Sequence, residues 1–254
     1  GIFVASISRK APPREQKLMK GKLSKRTKAT ILFSLIAIPL TIAAGFMIDG
    51  GRRYMIISFL IIFETMLPFF LVFEGRKPQA RELVILSVLS ALAIGGRAVF
   101  FAVPGFKPVA AMVILTGVAF GAEAGFMVGA MTMFCSNVLF GQGPWTPWQM
   151  FAMGIMGLLA GICFRKGFLH RERFSLSVFG GLVTFLIYGG IMNPASVLMY
   201  QANPDWQMIL TAYITGVPAD AVHALATVLF LWFLSEPMLE KLDRVKVKYG
   251  LIEK

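Results

Sequence analysis

The sequence predicts an all-α integral membrane protein with about eight membrane helices and both termini in the cytoplasm. Three observations predict it. Of 254 residues, 57% are hydrophobic and 15% charged, too apolar a balance for an ordinary soluble domain of this length. Apolar segments recur at helical length, roughly 29–47, 54–73, 82–103, 108–121, 124–140, 147–164, 175–200 and 207–236, and about 20 such residues carry a helix across the hydrocarbon. With alternate connections on alternate sides, only Arg52, Arg53, Arg97 and Lys107 of the 25 basic residues fall on the poor side. Basic connections stay in the cytoplasm, so the rich side faces inward and the chain belongs in the plasma membrane as a multi-pass protein.

The elements follow in order. Residues 1–28 form a basic, Pro-interrupted cytoplasmic arm with no apolar core of secretory-signal length. The first two apolar segments, 29–73, make a transmembrane hairpin around Asp49-Gly50-Gly51-Arg52, a strong turn signal. Glu74-Gly75-Arg76-Lys77-Pro78 breaks the chain and separates this hairpin from a six-helix body, 82–236. Segment 108–121 is short, and is tilted, partly re-entrant or covered by protein. Residues 237–254 form a charged cytoplasmic tail; its Leu239, Leu242 and Val245 suit a helix lying at the interface or meeting a partner. No internal repeat is visible, which weighs against an inverted-repeat carrier.

The net charge of +12 reflects topology and attraction to anionic inner-leaflet lipid, about 1 kcal/mol per basic residue near the surface, and does not point to nucleic acid. Cys135 and Cys163 lie in separate apolar segments and suit buried small residues rather than a disulfide. No Gly-rich phosphate loop, HExxH, Ser/His/Asp set or metal-ligand spacing is present. The chain therefore reads as a non-enzyme with no metal and no covalent cofactor, and it has no visible means of hydrolysing ATP.

Small residues repeat every fourth position: Ser87, Ala91 and Gly95; Gly117 and Gly121; Gly125 and Gly129. Gly154, Gly157 and Gly161 line a further helix. In lipid such stripes let helix backbones approach. Packing within the chain is the ordinary expectation for each, and docking of a separate membrane subunit is the alternative for one of them.

The external connections carry the chemistry. Val103–Pro108, Phe140–Gln149 and Gln201–Trp206 are stiffened by Pro and Gly and gather three of the four Trp at one face. An aromatic belt would explain each Trp singly. Flat rings mixed with neutral amides also suit a small-molecule pocket. The candidate rings are Phe100, Phe101, Trp145, Trp148, Tyr200 and Trp206; the orienting groups are Lys107, Asn137, Gln142, Gln149, Asn193 and Asn203. Arg97, near the outer end of its helix, can snorkel outward, so a structural role weighs at least as much as ligand contact. Glu64 is the costliest group at membrane depth, and Asp220 and His223 share one helix face. Those three also frame the competing readings, an integral-membrane enzyme or a proton-coupled secondary carrier.

The body resembles the substrate-binding S component of an energy-coupling factor (ECF) vitamin transporter. The resemblance rests on Leu86–Arg97, Phe106–Ala110, Gly117–Gly125 and Gly141-Gln142-Gly143-Pro144-Trp145-Thr146-Pro147-Trp148-Gln149. Ser87, Ala91 and Gly95 stand at the spacing of that family's Ala-x-x-x-Ala stripe. The resemblance implies a six-helix bundle, here preceded by an extra hairpin, that captures a vitamin from outside. It implies a transmembrane coupling subunit docking on Ser87, Ala91 and Gly95, two cytoplasmic ATPase subunits that use ATP, and toppling in the bilayer to deliver the cargo. The string around Trp145 is most similar to members assigned to cobalamin or related corrinoids, with flavin, pantothenate or a modified base left open.

Overall fold

The computed structural model describes residues 36, 37, 40, 41, 44, 54–75, 80–165 and 167–249. Their regular structure is helical: α1 Tyr54–Gly75, α2 Ala80–Val99, α3 Val109–Phe120, α4 Ala122–Phe140, α5 Thr146–Arg165 and α6 Arg173–Val183. A π-turn over Thr184–Tyr188 leads into α7 Gly189–Tyr200, and α8 runs over Trp206–Tyr249. Among the described residues, five spans are long and apolar enough to cross a membrane: α2, α4, α5, the continuous stretch Arg173–Tyr200, and α8. This is a multi-pass membrane bundle. The first expected helix, 29–47, and the N-terminal arm fall almost wholly outside the described residues.

α3 is the centre. All twelve of its residues are buried, because a helix apolar on every side gains from protein contact all round. Its hydroxyl, on Thr116, is satisfied within the helix by the Met112 carbonyl at 2.8 Å. Of the three options open to segment 108–121, the structure takes the protein-covered one.

Glycine makes that burial possible. A Cβ on Gly117 or Gly125 would fall onto the Gly157 backbone, and one on Gly161 onto that of Ala122. On Gly129 it would sit 2.5 Å from the Met153 carbonyl oxygen. The glycines of α3, α4 and α5 thus form one three-helix seam in which backbones touch. The turn from α3 to α4 is also glycine, Gly121, at φ 103°, a left-handed conformation that a side chain would strain.

Two cations close the C-terminal end of α3, where helix carbonyls lack partners and the dipole is negative. Arg165 donates to the Phe120 carbonyl at 3.1 Å and Lys246 to the Ala119 carbonyl at 3.0 Å. Lys246 arrives because α8 continues unbroken past Glu236. Leu239 and Leu242 join the same buried core as α3, and Arg171–Asp243 (3.2 Å) and Arg173–Glu236 (2.5 Å) tie the α5–α6 connection to the α8 extension. Residues 237–249 therefore pack on the body they follow.

α1 lies against α4, α5 and α7. Ile62 and Met66 bury against Phe126 and Ala130, with Phe70 edge-on to Phe126 at 6.5 Å. Its other side, with Leu60, Phe63, Leu67 and Leu71, is exposed, as lipid contact requires. At the far end of the bundle, Gly105 in the α2–α3 connection lies beside Val222 and the Ala219 carbonyl of α8. α8 begins thirteen residues earlier, at Trp206, so the α7–α8 tip stands about 20 Å of helix rise beyond that connection.

Candidate functional site

Asn137 organises the loop end of the bundle. It is 0% exposed, one turn before Gly141 ends α4. Its amide nitrogen donates to Thr146 Oγ1 (3.0 Å) and Gln149 Oε1 (2.8 Å), and its oxygen accepts from Arg97 at 2.7 Å. Thr146 and Gln149 reach it together because they lie three apart on the first turn of α5. Both amide donors and its acceptor are thus engaged, which locks the group. Thr146 donates in turn to Gln142 Oε1 (2.7 Å), and Gln142 donates to the Phe134 carbonyl (3.2 Å).

Arg97 does not snorkel. Its guanidinium turns inward, donating to Ser136 Oγ (2.6 Å) as well as Asn137, and lies 5.3 Å over the Phe140 ring. Charge-assisted hydrogen bonds to two fixed acceptors and a ring face outweigh the reach to water. In the neighbouring connection, Lys107 donates to the Val103 carbonyl at 2.8 Å. Partial burial first, and the Arg97 charge second, hold the Lys107 ammonium below the ordinary lysine range.

A second polar group adjoins the first through Tyr188, in the π-turn. Its phenol meets the Gln149 amide, and its ring stands edge-on to His223 at 4.7 Å. One turn along α8, Asp220 accepts from Asn193 Nδ2 at 2.7 Å. Glycines allow the α7–α8 approach: Gly189 lies opposite the Asp220 carboxylate and Gly216 opposite the Asn193 amide. Pro194 leaves the Gly190 carbonyl without its helical donor, and the Tyr213 hydroxyl supplies one at 2.8 Å.

The expected site residues divide accordingly. Asn137, Gln142 and Gln149 come together in the first network, and Asn193 joins the second through Asp220. Phe101 stacks on Phe140 at 5.3 Å, while Phe100 packs with Phe106 and Phe230 in a three-ring cluster. Trp145 folds back over Gly143. Trp148 turns the other way, toward the α1 side with Phe126 and Ile62, its indole nitrogen buried without a hydrogen-bond partner among the described residues. Tyr200, Asn203 and Trp206 are exposed at the α7–α8 tip, well beyond the networks, so the expected single rim occupies two levels.

Ser136, Thr146 and Tyr188 join these polar groups and were not among the expected residues. The Thr146/Gln149 spacing could have revealed Thr146; Tyr188, an aromatic in an apolar run, gave no signal. Glu64, Asp220 and His223 do not share partners. Glu64 accepts from Thr41 in the preceding helix, whereas Asp220 and His223 face Asn193 and Tyr188. Among the described residues, no group of three or more His, Cys, Asp or Glu could hold a metal ion.

On α2, Ser87, Ala91 and Gly95 are exposed, and a Cβ on Gly95 would meet nothing within 4 Å. This stripe is the open counterpart of the buried glycine seam.

Residues 77–236 match the family described as ECF-type riboflavin transporter, S component. The match begins after α1 and ends within α8. A UPF0397 protein of Vibrio atlanticus (strain LGP32) is 28% identical over 125 residues, covering 46% of this chain and 68% of that protein. No solved structure matches the chain. The match spans helices α2 to α8 of the membrane bundle, more than half of the chain, and the chain belongs to the ECF-type transporter S-component family.

Proposed function

We propose that this chain is the membrane-embedded substrate-binding subunit of an ECF-type importer, taking a vitamin from outside the plasma membrane and delivering it inward. The family match over 77–236 carries the reading. The networks on Asn137 and Tyr188 support it, because polar groups fixed before the ligand arrives lose little freedom on binding. Phe100, Phe101, Trp145, Trp148, Tyr200 and Trp206 remain the proposed rings, and Lys107, Asn137, Gln142, Gln149, Asn193 and Asn203 the polar contacts or their supports. In this reading both termini face the cytoplasm, which the distribution of basic residues supports.

In this reading the energy comes from partners. A transmembrane coupling subunit docks on Ser87, Ala91 and Gly95, and two ATPase subunits hydrolyse ATP. A small-residue surface suits a helix that must slide and reorient, since no large side chain has to leave a hole. The cargo is a cobalamin-type corrinoid on the string Gly141–Gln149. A flavin is the second reading, favoured by the description of the matching family.

Calorimetric titration of the full chain in detergent with cyanocobalamin and with riboflavin tests the cargo. Saturable binding of one is the expected result. Uptake into vesicles tests the mechanism: it should require ATP, the coupling subunit and both ATPases. Transport that survives without the ATPases and collapses with the pH gradient would establish a secondary carrier instead.

A further inference from the structure

Of the basic residues in 82–236, only Arg97 and Lys107 lie at the loop end of the bundle, and they meet at one joint. A Cβ on Gly96 would strike the Pro108 ring at 2.4 Å. The residues flanking that contact, Arg97 on α2 and Lys107 just before α3, are therefore brought to the same place. Phe100 and Phe106 pack across the joint at 5.9 Å. The Arg97 charge reaches Lys107, whose ammonium is held below the ordinary lysine range by partial burial and then by that charge.

Each cation has donors to spare. Arg97 Nη1 makes both bonds of the guanidinium, to Ser136 Oγ and Asn137 Oδ1. Nε and Nη2 make none among the described residues, and neither is a buried atom, so that edge is open to solvent. The Lys107 ammonium is exposed and spends one of its three donors on the Val103 carbonyl. Among the described residues neither cation pairs with a carboxylate. Asp220, in the neighbouring stretch of α8, is turned to α7, against Asn193 Nδ2 and the bare backbone of Gly189. At the opposite end of the bundle Arg171, Arg173, Arg244 and Lys246 each have an acid within 3.2 Å.

The open edge selects the class of ligand. Nε–H and Nη2–H of a guanidinium lie parallel, at the spacing of two oxygens of a carboxylate or phosphate. The Nη1 bonds and the Phe140 ring at 5.3 Å fix the plane of this fork before anything binds. Two like charges held together without an acid repel each other, and an anion between them relieves that repulsion.

We propose that Arg97 and Lys107 form an oxyanion site that receives a phosphate or carboxylate of the cargo, Arg97 through its Nε–Nη2 edge and Lys107 as the second charge. The proposal rests on the substrate-binding reading above and narrows it to an anionic cargo: a corrinoid with its phosphodiester, or a flavin in phosphorylated form.

The test is binding calorimetry on the full chain in a phosphate-free detergent. It compares flavin mononucleotide with riboflavin, and cyanocobalamin with cobinamide, which lacks the phosphodiester. Whichever pair binds, wild type should hold the phosphate-bearing member at least about tenfold tighter, the scale of a hydrogen bond between charged groups. Lys107→Gln should narrow that preference by a similar factor, whatever it does to the other member. Equal binding of both members by wild type, or a preference that Lys107→Gln leaves intact, overturns the proposal while the substrate-binding reading stands. Inorganic phosphate alone, and phosphatidylglycerol added to the micelles, are the remaining arms. If wild type takes phosphate and neither vitamin pair, the substrate-binding reading falls and the oxyanion site stands; if nothing binds, both fall. If phosphatidylglycerol alone binds, the oxyanion is a lipid headgroup and its assignment to the cargo is overturned.

Discussion

Two sets of small residues lie in one bundle and meet opposite surroundings. Gly117, Gly125, Gly157 and Gly161 form a seam where the backbones of α3, α4 and α5 touch, and a Cβ has nowhere to go. Ser87, Ala91 and Gly95 repeat at the same four-residue spacing on α2 but lie open, with free space around Gly95. Both sets are small, one all glycine and the other Ser, Ala and Gly; the larger difference is whether a neighbouring helix is present. The first set packs three helices together, and the second stays open on the outside of α2.

Single substitutions should separate the two sets. Gly157→Ala is expected to have the largest effect, about 2–3 kcal/mol of lost stability, because the added methyl meets the Gly125 backbone rather than a movable side chain. A detergent melting curve indistinguishable from wild type would break the contrast. Ala91→Leu should leave melting and ligand binding unchanged and abolish ATP-driven uptake by the reconstituted complex; equal loss of binding and uptake would refute that division of labour.

Asn137→Ala tests whether the floor of the site is independent of both stripes. Removing its amide strips partners from Arg97, Thr146 and Gln149, and should cost about 1–2 kcal/mol, read as a lower melting temperature, with binding weakened as well. Gly95→Ala should have the smallest effect and the opposite sign to Gly157→Ala. With nothing to clash against, the better helix former stabilises α2 by about 0.5–1 kcal/mol, so a fall in stability would mean that the α2 stripe is packed after all.

The α8 extension makes the same point about context. Leu239 and Leu242 looked equally suited to an interface helix or to a partner's groove, yet both are buried in the core around α3. Lys246, one of many basic residues on that side, is singled out by its reach to the Ala119 carbonyl. Arg97 takes its structural role from partners the sequence does not name. A basic residue near a helix end ordinarily reaches for water, but Ser136 and Asn137 offer fixed acceptors that only the folded chain brings within range.

By itself the sequence determined the class and the order of apolar helices from α1 onward. Hydropathy over 20 residues and the placement of Lys and Arg are local quantities that the bilayer reads directly. It also determined that Asn137, Gln142 and Gln149 belong together, since they are near neighbours across one tight connection. Only the tertiary structure decided which glycine stripe is filled, that Trp148 faces α1, and that Tyr188 links the Gln149 amide to the Asp220–His223 turn. Those facts depend on which helix lies beside which, and lipid, uniformly apolar, gives a sequence few marks by which to foretell its neighbours.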